Sequence, residues 1–144
     1  MPTTNADTQA TGTIAVTGTA AASYATLRVE GARAITLVGD LESELRRLSG
    51  ATVRVTGRDA GAGPLGRRLD VQRYEVLAID GQTPVVGTLR VHDDAVWLVA
   101  ADSVALEAVP AELRAEDGAK VWVTGRRTER GLEVQRYGVL RPAR

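Results

Sequence analysis

Short runs of alternating and β-branched residues recur along this chain, each too brief for an amphipathic helix and each bounded by glycine, proline or acidic residues. Gly12–Val16, Tyr24–Glu30 and Ala34–Gly39 form one series; Val85–Val91, Ala95–Ala100 and Val104–Ala108 form a second. The pattern predicts six strands. One short stretch of helical spacing follows each series. In the first, Leu41, Leu45 and Leu48 fall on one face, with Arg46 and Arg47 in the last turn. Asp40 is placed to accept the orphan amides as N-cap, and Gly50 to end the helix at C′. In the second, Pro110 suits the first helical position, Val109 and Leu113 share the buried side, and Gly118 terminates.

After each helix comes a cleanly alternating strand. "ATVRVTG" (51–57) points Val53 and Val55 inward and Thr52 and Arg54 outward; "AKVWVTG" (119–125) does the same with Val121 and Val123 against Lys120 and Trp122. The closing strand breaks its own alternation. Leu69 and Val71 share one parity, whereas Tyr74 and Val76 share the other, so a bulge at Gln72–Arg73 is needed to turn both sets into one core.

These two halves are copies. "ELRRLSGATVRVTGR" (44–58) aligns with "ELRAEDGAKVWVTGR" (112–126), "LDVQRYEVL" (69–77) with "LEVQRYGVL" (132–140), and "GTIAV" (12–16) with "GTLRV" (87–91). The offset drops from 68 to 63 between the first two blocks, so the first copy carries five extra residues between its last two strands. A tandem duplication follows. The expected organisation is an arm over 1–11, one repeat over 12–80 and a second over 81–144.

Three strands, a helix, then two strands is the element order of the OB-fold, a small Greek-key barrel with its helix between strands three and four. The pattern G-T-[IL]-x-V, short helix, G-A-x-V-x-V-T-G-R and [LV]-x-V-x-x-Y-x-V-L resembles small bacterial OB-fold domains, many of them exported, here in tandem over about residues 12–79 and 85–142. The resemblance implies a mainly β protein of two five-stranded Greek-key barrels. An SH3-like barrel, the structural rival, has no natural place for the helix. Such folds host many unrelated roles, so function has to be read from sites.

Composition narrows the classes. The 18 basic and 18 acidic residues cancel, which argues against a globally polycationic nucleic-acid binder. There is no Phe, so the cores must be aliphatic. Cysteine is absent, which removes disulfides, thiolate zinc sites and Cys nucleophiles. No apolar run approaches the ~20 residues of a membrane-spanning helix. The start, "MPTTNADTQATG", has neither the basic nor the apolar region of a signal peptide. Read as a native start it implies a cytosolic protein; read as the stem left after signal removal it implies an exported one, and the compartment stays open.

Candidate chemistry is sparse. "GAGPLG" (61–66) satisfies G-x-G-x-x-G, but Pro64 interrupts it and a strand follows instead of a helix, so it reads as a long, mobile hairpin loop. The single histidine, His92, sits in "VHDDAV", where Asp93 and Asp94 read as a turn. No second His can complete a typical zinc site or a His-based triad. No catalytic residue, metal or cofactor is expected.

Charge placement says more than net charge. Residues 92–118 hold seven acids and one Arg, whereas 119–144 hold seven bases and two acids, and 51–74 hold five Arg and two Asp. The hairpins between the fourth and fifth strands are therefore basic in both copies. Trp122, Arg126, Arg127 and Arg130, with Arg58, Arg67 and Arg68 as the first-copy counterpart, are the candidate interaction residues. They suggest a non-enzymatic interaction or assembly module, self-associating through complementary acidic and basic faces and through the polar arm along a sheet edge. The alternative use of the same arginines is weak single-stranded nucleic-acid binding, for which only Tyr24 and Trp97 lie where bases would stack, the tyrosines being assigned to the barrels. A third reading is an exported cell-envelope or small-ligand module.

Overall fold

The computed structural model of the chain describes residues 8–19, 23–63 and 66–143. Two compact units divide after Asp80. Each is a closed five-stranded barrel.

In the first unit, strands β1 (Thr8–Gly18), β2 (Ser23–Arg28), β3 (Ile35–Val38), β4 (Thr52–Gly63) and β5 (Gly66–Ala78) close in the order β1-β2-β3-β5-β4, with helix α1 (Glu42–Arg46) between β3 and β4. The second unit repeats this with β6 (Val85–His92), β7 (Ala95–Val99), β8 (Ser103–Glu107), α2 (Ala111–Arg114), β9 (Lys120–Arg127) and β10 (Leu132–Arg141), in the order β10-β8-β7-β6-β9. All neighbours are antiparallel except β3 with β5 and β8 with β10, which run parallel. In each unit, β1 or β6 pairs with the fourth strand and so closes the barrel.

The strands contribute equivalent residues to both interiors, whereas at the helix end the first barrel also buries Glu44 and Leu48, whose counterparts Glu112 and Glu116 are not buried. Val53, Val55 and Leu69 are fully buried in one barrel, as are Val121, Val123 and nearly so Leu132 in the other. Leu45 of α1 and Leu113 of α2 are the buried plugs. The chain leaving each helix is clamped to the middle of the first strand: Ile14 N–H donates to the Ala51 carbonyl at 2.9 Å and Gly50 N–H to the Ile14 carbonyl at 2.8 Å. Leu89 N–H donates likewise to Ala119 at 2.8 Å, and Gly118 N–H to Leu89 at 2.7 Å.

The two doubled phrases turn out to be two sides of one device. Thr56 pairs with Arg73 and Gly57 with Val71, leaving Gln72 as the extra residue; Thr124 pairs with Arg136 and Gly125 with Val134, leaving Gln135. The bulge flips the parity of the closing strand, so Leu69, Val71 and Val76 all reach the core. The strand also bends back onto its partner. A Cβ on Gly57 would collide with the Asp70 carbonyl, and one on Gly125 with the Glu133 carbonyl, so glycine is required opposite each bulge. "VTG" and "VQRY" therefore recur together because neither works alone. The glycine of "GT" has a similar cause: a Cβ on Gly12 would meet the Arg28 carbonyl, and one on Gly87 the Val99 carbonyl.

The helices depart from their predicted ends. Leu41, not Asp40, is the N-cap of α1, and no side chain caps it. Pro110 is the N-cap of α2, one residue outside the helix, and Arg47 and Ala115 are the C-caps, so Gly50 and Gly118 lie beyond C′. Both helices are single turns held by burial, α1 through Glu44 and Leu45 and α2 through Leu113, and the glycines (φ +91° and +92°) instead turn the chain into the next strand.

Candidate functional site: the mouth of the first barrel

The strands around α1 set the geometry. α1 joins the end of β3 to the start of β4 and so covers one end of the barrel. At the other end lie the start of β1, the β2–β3 connection, the end of β4 and the start of β5. These enclose an open groove of about 750 Å³, lined mainly by Ala10, Val29, Ala34, Ile35 and Ala62, with Arg33, Asp59 and Arg67 as its charged residues.

Unequal strand lengths create this groove. β1 pairs with β2 only over Thr13–Gly18, whereas its pairing with β4 runs from Thr8 to Thr13. The strand thus starts inside the segment expected to be an arm, and residues 8–11 pair with their own barrel; residues 1–7 of that expectation lie outside the described residues. β2 ends at Arg28 and β3 begins at Ile35, yet β4 and β5 continue past both to Gly63 and from Gly66. The barrel is closed below this rim, and its wall has a breach at the rim itself, where β2 and β3 stop.

The β4–β5 hairpin overhangs the breach because it is bent. The ladder jumps from Asp59–Leu69 to Ala62–Arg67, leaving Ala60 and Gly61 bulged. Asp59 Oδ1 accepts a hydrogen bond from Gly61 N–H at 2.8 Å, and Arg68 Nη2 donates to the Ala60 carbonyl at 2.8 Å. Arg67 Nε lies 3.6 Å from Asp59 Oδ2, with both side chains about half exposed. "GAGPLG" is consequently not a long loop: Gly63 pairs with Gly66, so the ladder runs into the phrase from both sides, and positions 64–65 lie outside the described residues. Two-residue spacing between paired strands is enough to explain the phrase as hairpin chemistry.

The second barrel handles the same place differently. Its hairpin turns within Thr128–Gly131, where Thr128 N–H donates to the Gly131 carbonyl at 2.8 Å and Gly131 lies directly against the Ala105 carbonyl of β8. Thr128 Oγ1 also donates to Glu107 Oε2. The β2–β3 connection spans residues 29–34, whereas β7–β8 needs only 100–102. The two copies share their buried strand positions and diverge around this mouth.

The sequence-derived residues scatter across this picture. Arg67 lines the groove and Arg68 shapes its overhang, while Arg58 is exposed on β4. Arg126 lies 3.5 Å from Glu133 across the β9–β10 ladder. Arg127 and Arg130 are exposed and form no ion pair among the described residues. Trp122 is half-buried with its indole over Gly138 of β10, which leaves little of it to anchor a partner. The exposed aromatics are Trp97 at 40% and Tyr24 at 38%, so Tyr24 is not absorbed by its barrel. Trp97 stands outward on β7, paired with Arg90 on β6 and Ala105 on β8. His92 and Asp93 are almost fully exposed at a two-residue turn, and among the described residues no three His, Cys, Asp or Glu side chains gather to hold a metal.

Sequence reasoning missed the groove because its floor is short alanines and a polar strand start. One signal was available: both connections that border the groove are longer in the first copy than in the second. Among the described residues no helix is long and apolar enough to cross a membrane. No protein-family model matches the chain, and no curated protein matches it.

Proposed function

We propose that the chain is a non-enzymatic interaction module built from two OB-fold-like Greek-key barrels, and that it recognises its partner at the mouth of the first barrel. One observation carries this reading. Duplicated halves whose strands place equivalent aliphatic residues in their interiors differ in the two connections that border the groove of the first, and difference on a shared scaffold is what recognition requires. The groove's size falls in the ~300–1,000 Å³ range of binding pockets, and it combines apolar lining with a few charged groups. The exposed Arg58, Arg127 and Arg130 supply the basic side of a contact with acidic surfaces, and electrostatic pairing of this sort acts on encounter rate and partner choice.

Sedimentation of the full chain across concentration, at low and at raised salt, tests self-assembly. Association weakened by Arg58→Glu, Arg127→Glu or Arg130→Glu supports contact between copies through these arginines. A strict monomer at every concentration eliminates self-assembly and leaves the reading dependent on a different protein bound at the mouth.

A second reading has its own observation. Trp97 is exposed on the middle strand of the β6-β7-β8 face, next to Arg90 and to the small residue Ala105. An exposed indole beside a guanidinium is a stacking platform for unpaired bases, with phosphates meeting Arg127 and Arg130. Titration of single strands should then quench Trp97 fluorescence with a steep salt dependence. Absence of binding at low salt ends that reading.

A further inference from the structure

The mouth of the first barrel has a property that apolar pockets ordinarily lack: one wall is the edge of a β-strand. Among the described residues, Thr8–Thr11 pair on one side only, with β4, and Thr8, Gln9 and Ala10 line the groove; Gly12 already lies against the Arg28 carbonyl at the end of β2. The opposite wall is the start of β5, where Gly66 and Arg67 precede the first residue paired with β3, Arg68. Beyond the closed part of the barrel, over the stretch that β2 and β3 do not reach, the edges of β1 and β5 are therefore without a strand neighbour on that side among the described residues. Edges of this kind accept a further strand, because their amides and carbonyls offer a ready hydrogen-bond ladder.

We infer that the breach takes an extended peptide segment of a partner protein, which adds as a strand along Thr8–Thr11 and carries apolar side chains on one face and an acidic side chain at its rim. This rests on the interaction-module reading and names the partner chemistry. Three features on different elements agree on it. The unpaired edge supplies backbone recognition. Ala10, Val29, Ala34, Ile35 and Ala62 supply a floor for alternate side chains of a strand, which point down every second residue. Arg33, exposed in the β2–β3 connection and without an ion pair among the described residues, supplies the charge. Arg67 is already shared with Asp59, so Arg33 is the guanidinium open to a carboxylate.

The second barrel explains why the site belongs to the first. There β10 meets β8 from Gly131 onward and the hairpin turns at once, leaving no long overhang beside the first strand. The five extra residues between the bulges, Gly57–Val71 against Gly125–Val134, are what extends β4 and β5 past the end of β2 and β3.

The test is panning of a random dodecapeptide display library on the full chain, in parallel with the Ala32→Trp variant, whose indole fills the groove from an exposed turn position. Enriched peptides are expected to alternate apolar residues and to carry Asp or Glu. Their synthetic forms should bind Ala32→Trp at least roughly tenfold more weakly, a difference of about 1.4 kcal/mol. N-methylation at alternate peptide amides should abolish binding, which contact through side chains alone does not demand. Arg33→Glu should redirect enrichment toward Lys and Arg. Enrichment equal on the wild-type and Ala32→Trp chains overturns the site, and so do peptides indifferent to N-methylation. A chain that associates with itself in sedimentation but selects no peptide overturns the strand addition while the interaction-module reading stands; a chain that does neither loses both.

Discussion

Deleting Gln72 should be far more damaging than replacing it. Gln72 is exposed and its side chain carries no packing load, so Gln72→Ala is expected to change stability by no more than about 0.5 kcal/mol. Deletion removes the residue that has no partner on β4 and shifts the closing strand by one position. A one-residue shift turns every side chain beyond it to the other face. Either Leu69 and Val71, at 0% and 3% exposure, leave the core, or Val76 and its neighbours do. Burial of one Leu or Val contributes about 1.5–3 kcal/mol, so losing the first pair costs about 3–6 kcal/mol. That is comparable to the whole stability of a small domain, about 5–15 kcal/mol. Urea unfolding followed by circular dichroism, with hydrogen exchange over residues 52–57 to report on the first barrel, measures both variants. The deletion should leave the first barrel unfolded or its midpoint lowered by several molar, since the urea slope for a small domain is about 1–3 kcal/mol per molar. A Gln135 deletion should do the same to the second barrel. Deletion tolerated as well as Gln72→Ala would refute the claim that strand parity, set by the bulge, holds the interior together.

Three further outcomes are expected. Leu45→Ala and Leu113→Ala each remove a fully buried plug and should cost about 2–5 kcal/mol by thermal or urea unfolding, whereas Asp40→Ala, which removes no capping bond, should be close to neutral. Acrylamide quenching in Trp97→Phe and Trp122→Phe chains should show the indole left at 97 more accessible than the one left at 122; equal quenching would contradict the placement of Trp122 over Gly138. Asp59→Ala removes the bond to Gly61 N–H and the half-exposed pairing with Arg67, so amide exchange over 60–63 should accelerate while global stability falls by no more than about 1 kcal/mol.

Much of the fold was legible because its causes are local. Alternation in "ATVRVTG" and "AKVWVTG" located the inward valines, and the parity clash between Val71 and Val76 located the bulge before any geometry was known. The doubled phrases located the duplication. Capping was not legible: Asp40 has the right chemistry, but α1 starts later and is held by Leu45 against the core, so burial overrides the local preference. The mouth was harder still. It depends on how far β1 and β4 run past β2, and "TQAT" at the start of β1 carries no hydrophobic alternation to mark it as strand. Nor does an alternating strand say which outward tryptophan stays in solvent. Trp122 faces Gly138 and lies down on it, while Trp97 has Arg90 and Ala105 beside it and stands clear.

The paired bulges also have a cost for the chain as it folds. β4 and β9 each carry the glycine, and β5 and β10 each carry the surplus residue, so the bulge alone does not distinguish β4–β5 from β4–β10 or β9–β10 from β9–β5. Barrel closure joins residues far apart in sequence, Thr13 with Thr52 for instance, so strands wait unpaired while wrong partners of the right shape are in reach. Strand exchange between repeats, within one molecule or between two, is the misfolding such a chain invites. Refolding yield should therefore decline as protein concentration rises, and the five surplus residues of the first hairpin, by making the two ladders unequal, are the main thing sorting correct pairs from exchanged ones.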